Sequence, residues 1–336
     1  MLSKVRGTFQ YDLPDGWLNQ HIFKVTPKDG IDKYFLFYLL KSLKPKFTAI
    51  ASNKQTTGLG HVTVKDLKEL IIDVPDVETQ RAIGNYLYSI DRKAEINAKV
   101  NDNLQQQAQA VFQSWFIDNP ASTEWPVGIF ADFIEKMIAG DWGKDSPLGN
   151  NTEMVYCIRG ADIPDVKAGN KGKMPTRFIL PKNYAAKQLV AGDIVVEISG
   201  GSPTQSTGRA AAISDSLLSR YDRGMVCTNF CKALKPKDGC SLFVYHYWQH
   251  LYDKGVFFSY ENGTTGIKNL DISGFVESEA ISIPPDDLIY KFDSLCQGLM
   301  RKIYANGYEN EQLALMRDSL LPRLMSGEID VSDIRI

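Results

Sequence analysis

The run Thr228-Asn229-Phe230-Cys231-Lys232-Ala233-Leu234-Lys235-Pro236-Lys237-Asp238-Gly239 answers an earlier one 209 positions upstream, Asn19-Gln20-His21-Ile22-Phe23-Lys24-Val25-Thr26-Pro27-Lys28-Asp29-Gly30. The shared Pro-Lys-Asp-Gly is a turn signal behind an expected strand in each copy. The correspondence continues outward. Thr56-Thr57-Gly58 matches Thr264-Thr265-Gly266 at an offset of 208, and Ile72-Asp73-Val74-Pro75 matches Ile281-Ser282-Ile283-Pro284 at 209. A period this long indicates duplication of a domain with its connector rather than a solenoid. On this alignment residue 1 matches residue 210, so about one and a half copies are expected, the counterpart of 121–209 being absent from the front.

After each Pro the apolar positions keep a 3-4 spacing, which predicts long helices over Glu78–Phe116 and Asp287–Met325. At 1.5 Å per residue each is about 60 Å long. The first seam reads Ile83, Leu87, Ile90, Ala94, Asn97, Asn101, Leu104, Ala108, Val111 and Trp115. Adding 209 gives Phe292, Cys296, Leu299, Ile303, Asn306, Asn310, Leu313, Arg317, Leu320 and Leu324, where Arg317 alone breaks the apolar or Asn character. Such a seam is the signature of helices that pair with each other, and Asn in a core position fixes register at some cost in stability. The competing reading leaves the Asn residues in solvent where the pair splays. Gly84, Gly298 and Gly307 weaken the helices locally, and Pro322 should kink or end the second.

Between the helices a mixed domain is expected. Phe130–Met137 suits a short element leading into a Gly-containing loop, and Met154–Ile158, Asp193–Ile198 and Ala210–Ile213 suit strands. Leu242–Leu251 suits a helix. The fold class is therefore α+β, with two long antiparallel helices as a coiled-coil spacer and divisions at 1–76, 77–120, 121–285 and 286–336. The 336 residues, 43 % hydrophobic, 11 % aromatic and 23 % charged, describe an ordinary globular chain. The longest apolar run, Tyr34–Leu40, is too short for a bilayer, and no secretory signal opens the sequence. A cytoplasmic protein with reduced thiols at its five Cys is expected, without membrane partners.

The formal charge of −2 conceals asymmetry. Residues 1–54 hold nine Lys or Arg against four Asp or Glu, 159–232 hold eleven against six, and 271–336 hold six against twelve. Two basic regions are either polyanion-binding surfaces or scatter on a solvated face. Lys167, Lys171, Lys173 and Arg177, interleaved with Gly169, Gly172 and Pro175, read as a mobile basic loop suited to phosphates. The loop Ser199–Arg209 offers Ser202, Thr204, Gln205, Thr207 and Arg209; Gln pairs bidentately with adenine and Arg with guanine. Asn262, Thr264, Thr265 and Lys268, with their copies Lys54, Gln55, Thr56 and Thr57, form either a second contact site or a recurrent turn.

Catalytic readings are weaker. Cys227, Cys231, Cys240, His246 and His250 have zinc-like spacing, but their repeat partners Leu18, Ile22, Ile31, Phe37 and Lys41 are mostly apolar, which favours core thiols and no metal. Asp193 and Glu197 share a strand face and allow a metal-dependent nuclease, although Ser199 stands where a Lys would help. Rossmann, P-loop and Gly-x-Ser-x-Gly signatures are missing, as is the Asn/Asp-Pro-Pro-aromatic motif of amino-methyltransferases.

Gly192-Asp193-Ile194, Ser199-Gly200, the Thr-Thr-Gly and the Pro before each long helix occur in an order that resembles the specificity subunit of type I restriction-modification systems, in an N-terminally shortened form. Asn19–Val25, Glu78–Ile83 and Leu321–Asp330 carry the same likeness. The resemblance implies target-recognition domains that each read half of a bipartite site in double-stranded DNA. It also implies helices that act as a ruler and dock methyltransferase subunits, with restriction subunits completing the complex. Neither catalysis nor a cofactor would belong to this chain; S-adenosylmethionine, ATP and Mg²⁺ would belong to the partners. A shortened first domain would call for a second copy or a separate fragment. The alternative is a helical interaction scaffold that binds no specific DNA.

Overall fold

The computed structural model describes residues 17, 22–54, 62–200, 204–263 and 267–333. It divides into two compact units, residues 1–96 with 310–336 and residues 97–309, and each long helix contributes to both.

The first unit is helical. The turn before its first helix is the expected one: the Ile31 N–H donates to the Lys28 carbonyl, and Gly30 sits at φ +83°. The Asp32 carboxylate then accepts from the Tyr34 and Phe35 N–H groups and starts α1 (Lys33–Ser42). Next come α2 (Lys44–Asn53), opened by Pro45, and α3 (Val64–Glu69), opened by a Thr63/Asp66 capping box. The long α4 (Val77–Phe112) starts on Asp76, which accepts from the Glu78 and Thr79 N–H groups. Phe35, Tyr38, Leu39 and Leu43 of this unit pack on Ile83 and Leu87 of α4 and on Leu321 and Leu324 further along the chain. One expectation fails here. The segment 22–28 is not a strand; Ile22, Phe23 and Val25 are exposed and have no neighbouring strand among the described residues.

In the second unit, α4 passes into one wider turn, Gln113–Ile117, and the chain enters the mixed domain. Its strands are β1 (Val127–Ile129), β2 (Ile134–Ala139), β3 (Glu153–Ile158), β4 (Thr176–Ile179), β5 (Ile194–Glu197), β6 (Ser199–Gly200), β7 (Ala210–Ala212), β8 (Met225–Cys227), β9 (Cys231–Pro236), β10 (Glu261–Asn262), β11 (Lys268–Leu270) and β12 (Ala280–Ser282). Its helices are α5 (Ile163–Lys167), α6 (Pro181–Lys187), α7 (Asp215–Leu218), α8 (Ser241–Asp253), α9 (Ile272–Ser278) and α10 (Asp286–Met325), the last extending into the first unit. An antiparallel sheet in the order β2-β9-β5-β7 lies at the centre. Ile194, Val196, Ala210, Ala212 and Leu234 face one apolar cluster, while Val195, Ala211 and Ala233 face another. Burial on both faces is why β5 reads as an unbroken apolar run instead of alternating.

The duplication is visible in the backbone. Gly239 repeats the left-handed turn glycine at φ +76°, the Cys240 N–H donates to the Lys237 carbonyl, and α8, α9 and α10 follow as α1, α3 and α4 do. The cap on the first helix of each copy differs. In the second copy the Leu242 and Phe243 N–H groups donate to Asp293 of the long helix. Position 84, the counterpart of 293, is Gly, and any Cβ there would stand 2.6 Å from the Phe35 nitrogen. Each copy thus supplies one carboxylate to the same helix start, from opposite sides of the contact.

Both long helices run as expected, and their pairing is antiparallel within each unit. In the second unit Asn306 donates to Asn101 (2.8 Å), Asn101 donates to the carbonyls of Ile303 and Ala168, and Asn97 donates to Glu309. The Asn residues are register devices, with Asn97, Asn101 and Asn306 buried and Asn310 partly so. In the first unit Arg317, the exception in the seam, bonds to Asp91 at 2.6 Å, and Asp91 also accepts from the Tyr38 hydroxyl. Ile83, Leu87, Ile90 and Phe292 are buried, while Leu104, Val111, Leu299, Leu313 and Leu320 are half-buried. Pro322 stays inside α10, which ends three residues later, with Gly327 left-handed at φ +74°.

His246 on α8 is buried against Gln109 of α4, Nδ1 to Oε1 3.0 Å. Burial, aided by the Lys167 charge, holds the imidazole down at about 3. A ring neutral in the native state binds fewer protons than in the unfolded chain, whose ordinary value is about 6.5. Its contribution is therefore complete above pH 6.5 and declines as pH falls towards 3, by up to about 1.4 kcal/mol per unit. Urea denaturation at pH 6.5 and 4.5 should show that His246→Gln has the shallower loss of stability on acidification; equal losses in the two proteins would contradict the assignment.

Candidate nucleic-acid interface

Two polar segments far apart in sequence meet in a small sheet of order β10-β11-β6. Its register pairs Asn262 with Asn269 and Asn269 with Ser199, and in the rows on either side Glu261 with Leu270 and Lys268 with Gly200. Directly paired residues share a face and adjacent ones alternate. Leu270 is buried and the Glu261 side chain nearly so, which makes theirs the inner face. Asn262 and Asn269 are exposed on the outer one.

The inner face is held by charge. Lys268 donates to Glu261 Oε2 at 2.7 Å and lies 4.8 Å from the Phe258 ring centre. Glu261 Oε1 accepts from the hydroxyl of buried Thr207 at 2.9 Å and from its N–H. Lys268, Thr207 and Glu261 therefore join the 204–209 loop to the hairpin and are not an open phosphate site. Arg209 is likewise engaged, with two bonds of 2.8 and 2.7 Å to Glu197, whose presence holds the guanidinium pKa above its usual value. Thr204 and Gln205 remain on the exposed side of this loop, Gln205 within reach of the Tyr252 hydroxyl.

The basic stretch 167–177 departs from expectation. It is not a free loop, because the carbonyls of Ala168, Gly169, Lys171 and Lys173 accept from Asn101, Arg220, Tyr221 and Arg159 respectively. Arg177 is buried on β4 over the Trp142 ring and bonded to Asp145, so it supports the fold instead of meeting phosphate. The Lys171 ammonium lies 4.7 Å from the Tyr221 ring centre, and Lys173 is exposed. Lys54 is ion-paired with Asp66 at 2.6 Å. Gln55, Thr56, Thr57, Ser202, Thr264 and Thr265 lie outside the described residues.

The model of the type I restriction modification DNA specificity domain matches residues 6–106. The type I restriction enzyme MjaIX specificity subunit of Methanocaldococcus jannaschii is 27 % identical over 332 residues, covering 94 % of this chain and 73 % of that one. The HindI specificity subunit of Haemophilus influenzae is 25 % identical over 357 residues, covering 88 % and 77 %. Over most of its length the chain is similar to type I restriction enzyme specificity subunits. The fold agrees: the S subunit from M. genitalium superposes with a TM-score of 0.50 at 17 % identity, over 88 % of this chain and 73 % of that one.

The remaining chemistry-bearing residues have structural roles. Asp193 accepts twice from Lys235, at 2.9 and 2.8 Å, and Glu197 is taken by Arg209, so the two carboxylates are committed to separate cations. Cys227 and Cys231 are buried in one apolar cluster and Cys240 in another; burial pushes the Cys231 and Cys240 thiols up to about 11. No group of three or more His, Cys, Asp or Glu among the described residues is placed to hold a metal ion, and no described helix is long and apolar enough to cross a membrane. Sequence reading missed Ser199, Asn269 and Phe230. Phe230 is 60 % exposed in the turn before β9, and its carbonyl accepts from the Ile198 and Ser199 N–H groups.

Proposed function

We propose that this chain is the non-catalytic, sequence-reading subunit of a type I restriction-modification complex. The 204–209 loop and the Glu261–Leu270 hairpin together read part of a bipartite site in double-stranded DNA. The paired stretches of α4 and α10 dock methyltransferase subunits, which work with restriction subunits. S-adenosylmethionine, ATP and Mg²⁺ go with those partners, and this chain binds none of them. The observation that supports the reading most, alongside the similarity to specificity subunits, is the bonding of Thr207 and Lys268 to Glu261, which makes one surface from two polar segments.

The test uses the chain assembled with its methyltransferase subunits, titrated with random and with selected duplexes across salt concentrations. The selected duplex should bind at least about 1,000-fold tighter, above a random background that falls steeply with salt. Equal affinities at every salt concentration would leave only an interaction scaffold. Gln205→Ala should relax one base position by about 1–3 kcal/mol. Equal losses on all duplexes would make Gln205 a phosphate contact.

A further inference from the structure

We infer that the outer row of the small sheet, Ser199, Asn269 and Asn262, is a base-reading ribbon that recognises adenine in the major groove, with Phe230 beside it as an apolar contact for a thymine methyl. The inference rests on the DNA-reading function proposed above and names the residues and bases involved.

Several observations converge on this row. The pairing of Asn262 with Asn269 and of Asn269 with Ser199 aligns the three across the strands, and alternation turns them away from the buried Leu270. Strands of a small sheet can enter the major groove, where Asn gives adenine both the acceptor for N6 and the donor for N7. The Ser199 hydroxyl donates to Asn269 Oδ1 and holds the amide in place. That orientation is set before DNA arrives, so little side-chain freedom is lost on binding.

The row is also rigidly mounted. Lys268 and Thr207 clamp Glu261 beneath it, and the Leu270 N–H donates to the Ile198 carbonyl at 2.8 Å. Phe230 is pinned at one end: the Cys231 N–H closes its turn on the Thr228 carbonyl, and the Phe230 carbonyl takes the N–H that begins β6. A phenyl ring left 60 % exposed, on a residue whose carbonyl accepts from the Ser199 N–H, suits a base edge that carries a methyl group. The loop that carries the exposed Thr204 and Gln205 is joined to the same sheet through Thr207 and Glu261.

The test selects bound sequences from a randomised duplex library with the complex of this chain and its methyltransferase subunits. Asn269→Ala and Asn262→Ala should each lose preference for adenine at one position, by roughly 5- to 150-fold, with the rest of the motif kept. Asn269→Asp, nearly the same shape, should shift that position towards cytosine, which offers a donor to a carboxylate. Phe230→Ala should relax a thymine nearby. An unchanged motif in all four variants, or equal weakening on every sequence, would overturn the inference while leaving the subunit a DNA reader. A wild-type complex that selects no motif would overturn the reading beneath it. Unchanged thermal unfolding of Asn269→Asp separates a reading defect from misfolding.

Discussion

Gly307→Ala should destabilise the protein by roughly 3 kcal/mol or more, although alanine is the better helix former by about 1 kcal/mol. A Cβ at position 307 of α10 would stand 1.9 Å from the Gly169 carbonyl oxygen, with backbone rather than a flexible side chain opposing it. The opposing segment cannot retreat. Gly169 is left-handed at φ +83°, its carbonyl accepts from Arg220, and the Ala168 carbonyl accepts from Asn101. Gly298 on the same helix supplies the contrast, because a Cβ there meets only the end of Arg301 at 3.9 Å. Gly298→Ala should gain up to about 1 kcal/mol. Urea denaturation of the two variants checks the pair; equal shifts in either direction would mean that the Gly169–Gly307 approach does not constrain the fold.

Arg209→Ala should cost about 3 kcal/mol of stability, by removing the partner of a carboxylate that is only 8 % exposed. Glu197 is packed tightly on both sides: a Cβ at Gly160 would lie 2.3 Å from Oε1, and one at Gly200 3.1 Å away. It has no room to turn towards solvent. The double variant Glu197→Gln with Arg209→Met should recover part of the loss, because no unpaired charge remains. If Arg209 instead contacted guanine directly, Arg209→Ala would leave the unfolding midpoint near wild type and relax one base position. Thermal unfolding and duplex selection on the same variant distinguish the two roles.

The duplicated turn, the helix after it and the long helices were legible because each rests on local chemistry: a left-handed Gly, a capping carboxylate, a 3-4 apolar spacing. Arg317 looked like a defect in the seam because its partner, Asp91, stands outside the apolar pattern that defined the seam. The matching runs at 22–28 and 231–236 differ in the same way. The second is a strand because β2 and β5 flank it, and pairing of that kind cannot be read from the run itself. The site was half legible. Its two polar segments were identified, but strands of two or three residues have no readable period, so nothing in the sequence told Lys268 from Asn269. The ladder with Ser199 and Asn262 turns the lysine inward and the asparagine outward.

DNA reading by this chain is tested most directly by a methylation-site map of DNA from cells that express the methyltransferase subunits with the wild-type chain or with Gln205→Ala plus Asn269→Ala. The wild-type chain should give one defined motif and the variant a motif degenerate at particular bases. The same motif with both chains, methylated to the same extent, would contradict it.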